Sequence, residues 1–152
     1  MIELLVVIAI IGILASVVLV SLGSARAKGN DARVQEQLSG LRSAAELYFT
    51  TNSNYGTFNP PNGSDAGCVA AAAATLSFFN DSASGKPIID GTTSVPGVGL
   101  SKCFAGGTVW AAGYGLPSAA TAAYWCVDSN GKSKKVTENI TSASFTSTNL
   151  CN

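Results

Sequence analysis

The sequence predicts an α+β protein in which one long N-terminal helix packs on a small antiparallel sheet. An uncharged apolar run, Leu4–Leu22, passes into a segment whose apolar residues recur every three or four positions, which is the period of an amphipathic helix. Segments rich in β-forming residues follow in the C-terminal half, with an Asn-Gly turn signal between them. The 152 residues suffice for one domain plus an extended element.

The first twenty-five residues carry no charged side chain except Glu3. From Leu4 to Ala25 they would form a helix of about 33 Å, long enough to cross the hydrocarbon core of a bilayer. A cleaved signal peptide is the alternative, because Ala25-Arg26-Ala27 is similar to a small-residue cleavage site. The run exceeds a usual signal-peptide core, so we predict an apolar half-helix for a membrane or a filament core over residues 1–25. In such apolar surroundings an ionised carboxylate is costly, so Glu3 must pair with a cation or take up a proton.

Residues 26–52 are predicted to continue this helix as an amphipathic half. Its apolar positions follow one another at spacings of four, three, four and three: Val34, Leu38, Leu41, Ala45 and Tyr48. On another face, Arg42 and Glu46 are spaced to form an i, i+4 ion pair. Asn52, Asn54 and Gly56 are typical of a helix end, so the whole helix is expected to have about fifty residues.

Residues 53–107 are predicted to be a loop that contains one short helix. The alanine-rich segment Cys68–Phe79 favours that helix by propensity. Gly85-Lys86-Pro87 and Val95-Pro96-Gly97 are expected to interrupt regular structure.

Residues 108–137 are predicted to form a three-stranded antiparallel sheet on the second half of the helix. The strands are Thr108–Leu116, Thr121–Asp128 and Ser133–Thr137. Asn130-Gly131 favours a type I′ turn between the last two. Trp110, Tyr124 and Trp125 are interpreted as packing residues rather than as a platform for a ligand.

The four cysteines, Cys68, Cys103, Cys126 and Cys151, all follow the apolar run and none forms a CxxC pair. An even number in this context predicts two disulfides in an oxidising compartment. Three pairings are open, and we favour Cys68–Cys103 with Cys126–Cys151, because each bond then closes a separate irregular segment. The second bond would hold an irregular C-terminal tail, residues 138–152, against the sheet.

The composition excludes several classes of function. The chain has no histidine, which removes the commonest general base and metal ligand. No nucleophile lies in a recognisable context and no phosphate-binding glycine motif occurs, so we predict no enzyme, no catalytic residue and no cofactor. Asp128 and Asn130 have the spacing of a calcium loop, but the downstream glutamate of that motif is missing, so no metal site is predicted. Nine Lys/Arg balance nine Asp/Glu and are scattered along the sequence, so there is no strong nucleic-acid signature.

The first fifteen residues, MIELLVVIAIIGILA, closely resemble the N-terminal segment of type IV pilins and pseudopilins. The resemblance covers about 25 residues in detail and the remainder only in architecture. It implies a pilin-like ladle and a structural subunit that polymerises through its helix into an extracellular type IV pilus filament on the bacterial surface. The implied partners are identical subunits in a helical homopolymer, the cytoplasmic (inner) membrane before assembly, a prepilin peptidase and the pilus assembly machinery.

The same resemblance implies two assembly residues. Glu3 matches the glutamate that pairs with the N-terminal amine of a neighbouring subunit. Gly12 matches the glycine that begins a stretch, ending at a proline, which often unwinds in assembled filaments. Many relatives have a kinking proline about eight residues after that glycine, and this chain has none there.

The N-terminal residues also depart from the family pattern. Family members lose a basic leader, their new first residue is methylated, and the glutamate is usually fifth after Phe-Thr and two apolar residues. Here the glutamate is third, so Met1 corresponds to the residue that is normally third. Arg26 and Lys28, taken alone, favour a cytoplasmic location for the residues that follow the apolar run, whereas the predicted disulfides favour an extracytoplasmic one. A missing basic leader would reconcile these two signals. The alternative function is a minor pilin or a type II secretion pseudopilin in a short or transient pseudopilus.

Overall fold

The computed structural model describes residues 2–58, 68, 77–119, 123–137 and 151, and confirms the α+β class with a long N-terminal helix packed on an antiparallel sheet. The helices are α1 (Ile2–Asn52) and α2 (Gly85–Thr93), with a 3₁₀ helix at Phe78–Asn80. The strands are β1 (Thr57–Phe58), β2 (Ser101–Gly106), β3 (Trp110–Gly115), β4 (Tyr124–Asp128) and β5 (Ser133–Val136).

Helix α1 runs for 51 residues without a break. Its buried positions are Val34, Leu38, Leu41 and Ala45, four of the five predicted from the apolar spacing, and Tyr48 is half-buried against the same core. The helix ends where Ser53 takes a left-handed conformation, with φ of 58°, and donates its N–H to the carbonyl of Phe49 at 2.7 Å. This bond satisfies one of the carbonyls that a helix end leaves without a partner.

The sheet has five strands rather than the three predicted, in the order β1-β2-β3-β4-β5 with every pair antiparallel. The two additional strands, β1 and β2, come from the segment predicted to be a loop. Strand β2 has no apolar–polar alternation to reveal it, because residues on both of its faces are buried, including Lys102. Its register against β3 places Cys103 opposite Ala112.

The predicted helix at Cys68–Phe79 lies largely outside the described residues. Its last two residues, Phe78 and Phe79, belong to the 3₁₀ helix at Phe78–Asn80. The expected interruption at Gly85-Lys86-Pro87 is wrong, because these residues form the first turn of α2. A proline is tolerated there because the N–H groups of a first helical turn have no partner within the helix.

The hairpin predicted at Asn130-Gly131 is present, but the predicted type I′ turn is wrong. That turn requires positive φ at both central residues. Gly131 has φ of 86°, whereas Ser53 is the one non-glycine residue with positive φ in the described part of the chain. The loop has three residues instead, closed by the N–H of Asp128 on the carbonyl of Lys132 at 3.2 Å.

Apolar cores lie on both faces of the sheet. The core beneath α1 includes an aromatic cluster in which the Phe78 and Trp110 ring centroids are 5.1 Å apart. A smaller core on the other face joins Ala111, Tyr124 and Cys126 to Cys151 of the tail. The disulfides are Cys68–Cys103 and Cys126–Cys151, the pairing that the sequence analysis favours. The first bond therefore ties Cys68 to strand β2, and the second ties Cys151 to strand β4.

Candidate functional site

The N-terminal half of α1 is an exposed apolar rod. Every described residue from Ile2 to Arg26 is exposed. Fifteen large apolar side chains between Ile2 and Leu22 have exposed fractions from 45% to 79%. The helix has the length and the apolar composition to cross a membrane, and no part of its most apolar window is buried by the rest of the chain. Since apolar side chains point in all directions around the rod, no single docking face would cover it.

We call the elements that follow α1 the head of the protein. The hydrogen bonds of Asn30 and Asp31 connect α1 to this head. Asn30 Nδ2 donates to the carbonyl of Pro96 at 3.0 Å. The Asp31 carboxylate accepts the backbone N–H of Ser118 at 2.9 Å and also the Ser118 hydroxyl. We call these contacts the Asn30–Asp31 clamp. From its start to the clamp, α1 extends about 42 Å at the usual helical rise of about 1.5 Å per residue.

Glu3 lies in the first turn of α1. The unpaired N–H groups and the macrodipole of a helix start favour a carboxylate there by about 0.3–1 kcal/mol. Glu3 makes no ion pair with any described residue. Along the helix the next cationic side chain is Arg26, about 35 Å away. The charge of Glu3 is therefore uncompensated within the described chain.

Gly12 lies in the middle of the exposed rod, and a Cβ built on it would meet nothing within 4 Å. The backbone around it is regular α-helix in the single chain. A glycine in a helix interior destabilises that helix by about 0.5–1 kcal/mol relative to alanine. Loosening of the helix at Gly12 during assembly stays a prediction.

The predicted ion pair between Arg42 and Glu46 is wrong, because each side chain has a partner outside the helix instead. The Arg42 guanidinium donates to the carbonyl of Lys132 at 2.9 Å and to the Ser133 hydroxyl at 3.2 Å. Glu46 accepts the Tyr55 hydroxyl at 2.8 Å. Burial, together with this bond to Glu46, raises the pKa of Tyr55 to about 12. These contacts of Arg42 and Glu46 attach the C-terminal half of α1 to the head.

The aromatic residues proposed for packing have that role in the structure. Trp110 and Tyr124 are buried, and Trp125 is half-buried against the core beneath α1. Phe78, Phe79 and Tyr55 surround the Trp110 ring with centroid distances between 5.1 and 6.4 Å. A packed ring of this kind leaves no open platform for a ligand at Trp110.

Asp128 has a structural role that the sequence analysis missed. Its side chain is fully buried. One carboxylate oxygen accepts the N–H groups of Asn130 and Lys132 at 2.9 and 3.0 Å, and the other accepts the N–H of Cys151 at 3.2 Å. The Asp-x-Asn spacing that was considered as a calcium signal is also the signal of an Asx turn. The carboxylate thus organises the β4–β5 loop and holds Cys151 beside it. No group of three or more His, Cys, Asp or Glu within the described residues is arranged to hold a metal ion.

The features that remain for a functional site are the exposed rod, its single carboxylate and the head that begins at the Asn30–Asp31 clamp. No family model, no curated protein and no solved structure matches this chain.

Proposed function

We propose that the protein is a structural subunit that polymerises through its N-terminal half-helix into an extracellular type IV pilus filament. The observation that carries the proposal is an apolar rod exposed on all sides, with a carboxylate near its start, that of Glu3, which forms no ion pair with any residue that the structure describes. The pilin-like sequence of the first fifteen residues supports the same conclusion.

The apolar area of the rod gives the driving force for assembly. Burying one Leu, Ile or Val side chain from water contributes about 1.5–3 kcal/mol. Fifteen such side chains are exposed on the rod, so it is unstable in water and must lie in lipid or against other subunits. A bundle of identical rods surrounds each one, which suits a surface that is apolar in every direction.

Glu3 sets the alignment of subunits in this proposal. An ionised carboxylate inside a bundle of low dielectric costs several kcal/mol unless a cation or hydrogen-bond donors compensate it. Among the described residues the next cationic side chain along the helix, Arg26, is about 35 Å away, and the proposal places the compensating cation on a neighbouring copy. The family resemblance implies that this cation is the neighbour's N-terminal amine.

The test compares Glu3→Ala with Glu36→Ala, a matched loss of one exposed carboxylate from the head half of the same helix. We expect Glu3→Ala to leave a folded, membrane-held monomer and to remove most filaments sheared from the producing cells. Glu36→Ala should keep filament yield within about twofold, because surface substitutions usually change little. Normal filament yield from Glu3→Ala would refute the role of Glu3, and absence of the wild-type chain from sheared filaments would refute the proposed function.

A further inference from the structure

Two basic side chains directly follow the uncharged run that ends at Ala25. Arg26 and Lys28 lie one and three positions beyond it. Both are exposed, and neither makes an ion pair with a residue that the structure describes. The nearest carboxylate along the chain, that of Asp31, accepts the N–H and the hydroxyl of Ser118 instead. The two positive charges are therefore not compensated within the described part of the chain.

Their distance from Ala25 places both side chains among the headgroups of a membrane that holds the rod. The polar layer on each side of the hydrocarbon core is about 5–7 Å thick. Helix α1 crosses such a layer in about four residues, at its rise of about 1.5 Å per residue, so residues 26–29 lie within it. The next basic residue, Arg33, is about 12 Å beyond Ala25 and lies outside this layer.

Arg26 and Lys28 project from nearly opposite sides of the helix, because residues two positions apart are about 200° apart around its axis. A protein that docked on one side of α1 would therefore contact only one of them. A layer of headgroups surrounds the helix completely and meets both. Its phosphate oxygens are acceptors that suit guanidinium and ammonium donors.

The end of the head nearest the rod carries no charge in its described residues. It consists of residues 94–100 and 116–119, which the Asn30–Asp31 clamp connects to α1. Leu100, within this end, is 56% exposed. The clamp lies about 8–9 Å beyond the uncharged run, at the outer limit of the headgroup layer. An uncharged surface with an exposed leucine thus borders the layer that the two basic side chains enter.

We propose that Arg26 and Lys28 bind the phosphate groups of anionic phospholipids while the uncharged end of the head rests on the same membrane surface. Each Lys or Arg close to an anionic membrane surface strengthens the attraction about fivefold. The two side chains together should therefore give about a 25-fold preference for anionic over zwitterionic lipid.

These contacts would hold the subunit in the membrane until it is assembled. Entry into a filament takes the rod out of the bilayer, so the bonds to the lipid phosphates must break at that step. This consequence rests on the proposed function, whereas lipid binding by the single chain does not.

The experiment places the full chain in nanodiscs made of equal parts of phosphatidylglycerol and phosphatidylcholine with identical acyl chains. Native mass spectrometry then counts the lipids of each class that stay with the ejected chain. Arg26→Gln is compared with Arg33→Gln, which is the same change on the same face of α1, about 10 Å further from the rod. We expect Arg26→Gln to lower the preference for phosphatidylglycerol about fivefold and Arg33→Gln to change it less than about twofold.

Leu100→Asp tests the position of the head. A carboxylate at this place would repel anionic headgroups and should lower the preference for phosphatidylglycerol at least about twofold. Leu47→Asp is the matched control, because Leu47 is also an exposed leucine but lies about 33 Å beyond Ala25 along α1. It should leave the preference unchanged, since salt screens attraction over about 8–10 Å.

Three results would overturn the proposal. The first is equal retention of the two lipids by the wild type, as expected if the basic residues act only in fixing orientation during insertion. The second is equal loss of preference in Arg26→Gln and Arg33→Gln, which would reflect net charge alone. The third is equal loss in Leu100→Asp and Leu47→Asp, which would remove the head from the membrane surface. A chain that prefers anionic lipid but builds no filament would support this inference and refute the proposed function.

Discussion

Replacing Asp128 by asparagine is the most informative perturbation of the head, because the side chain keeps its shape and loses its charge. The carboxylate accepts two N–H groups from the β4–β5 loop on one oxygen and the N–H of Cys151 on the other. Asparagine keeps one side-chain oxygen as an acceptor. Its NH₂ group replaces the other oxygen and faces a backbone N–H, so that two donors meet and no hydrogen bond forms. Hydrogen bonds to charged groups contribute about 1.5–3 kcal/mol each. Losing one and weakening the other two should lower the free energy of unfolding by about 2–4 kcal/mol.

The assay is urea unfolding of the full chain in non-ionic detergent, followed by the fluorescence of its two tryptophans, of which Trp110 is fully buried. The matched control is Asp90→Asn, which breaks the exposed Lys86–Asp90 pair and should change the free energy of unfolding by no more than about 1 kcal/mol. Hydrogen exchange at the amide of Cys151 should also accelerate in Asp128→Asn. An Asp128→Asn variant no less stable than Asp90→Asn would refute the role assigned to this carboxylate.

Three further changes test the packing, the chemistry and the cross-linking of the head. Leu38→Ala should cost about 2–5 kcal/mol in urea unfolding because Leu38 is fully buried, whereas Leu47→Ala, at an exposed position of the same helix, should cost about 0.5 kcal/mol or less. Because the pKa of Tyr55 is raised to about 12 in the folded chain and is about 10 when unfolded, the unfolded state loses its proton first and stability should fall as the pH rises from about 10 to 12. Tyr55→Phe should flatten that fall, and an unchanged pH profile of urea unfolding would contradict the assignment. Replacing Cys68 and Cys103 together by serine should lower the free energy of unfolding by about 3–4 kcal/mol, as expected for a closed loop of 35 residues, and a stability equal to the wild type would contradict this contribution.

The long helix could be predicted because its signal is local and periodic. Val34, Leu38, Leu41 and Ala45 are spaced as one helix face, and the same four residues are buried. Strands β3 and β4, which contain Trp110 and Trp125, could be predicted for a similar reason, because β-forming residues are concentrated in these two segments. Their observed bounds, Trp110–Gly115 and Tyr124–Asp128, lie inside the predicted ranges.

The elements that were missed depend on contacts between distant parts of the chain. Strand β2 contains a buried lysine and has no alternating pattern, and only its pairing with β3 identifies it. Arg42 and Glu46 have the spacing of an ion pair, but Ser133 of β5 and Tyr55, three residues beyond the end of the helix, are the partners they have in the structure. Glu3 is the extreme case, because the cation that would compensate it belongs to another molecule in the proposed filament.

The measurement that tests the central claim most directly is a helical reconstruction of filaments sheared from cells that express this chain. The proposal predicts that this chain builds the filament, with residues 2–25 buried in a central bundle and Glu3 against a cationic group of a neighbouring subunit. Filaments built from a different protein, or a lattice in which the apolar half-helix faces solvent and Glu3 meets no neighbour, would contradict it.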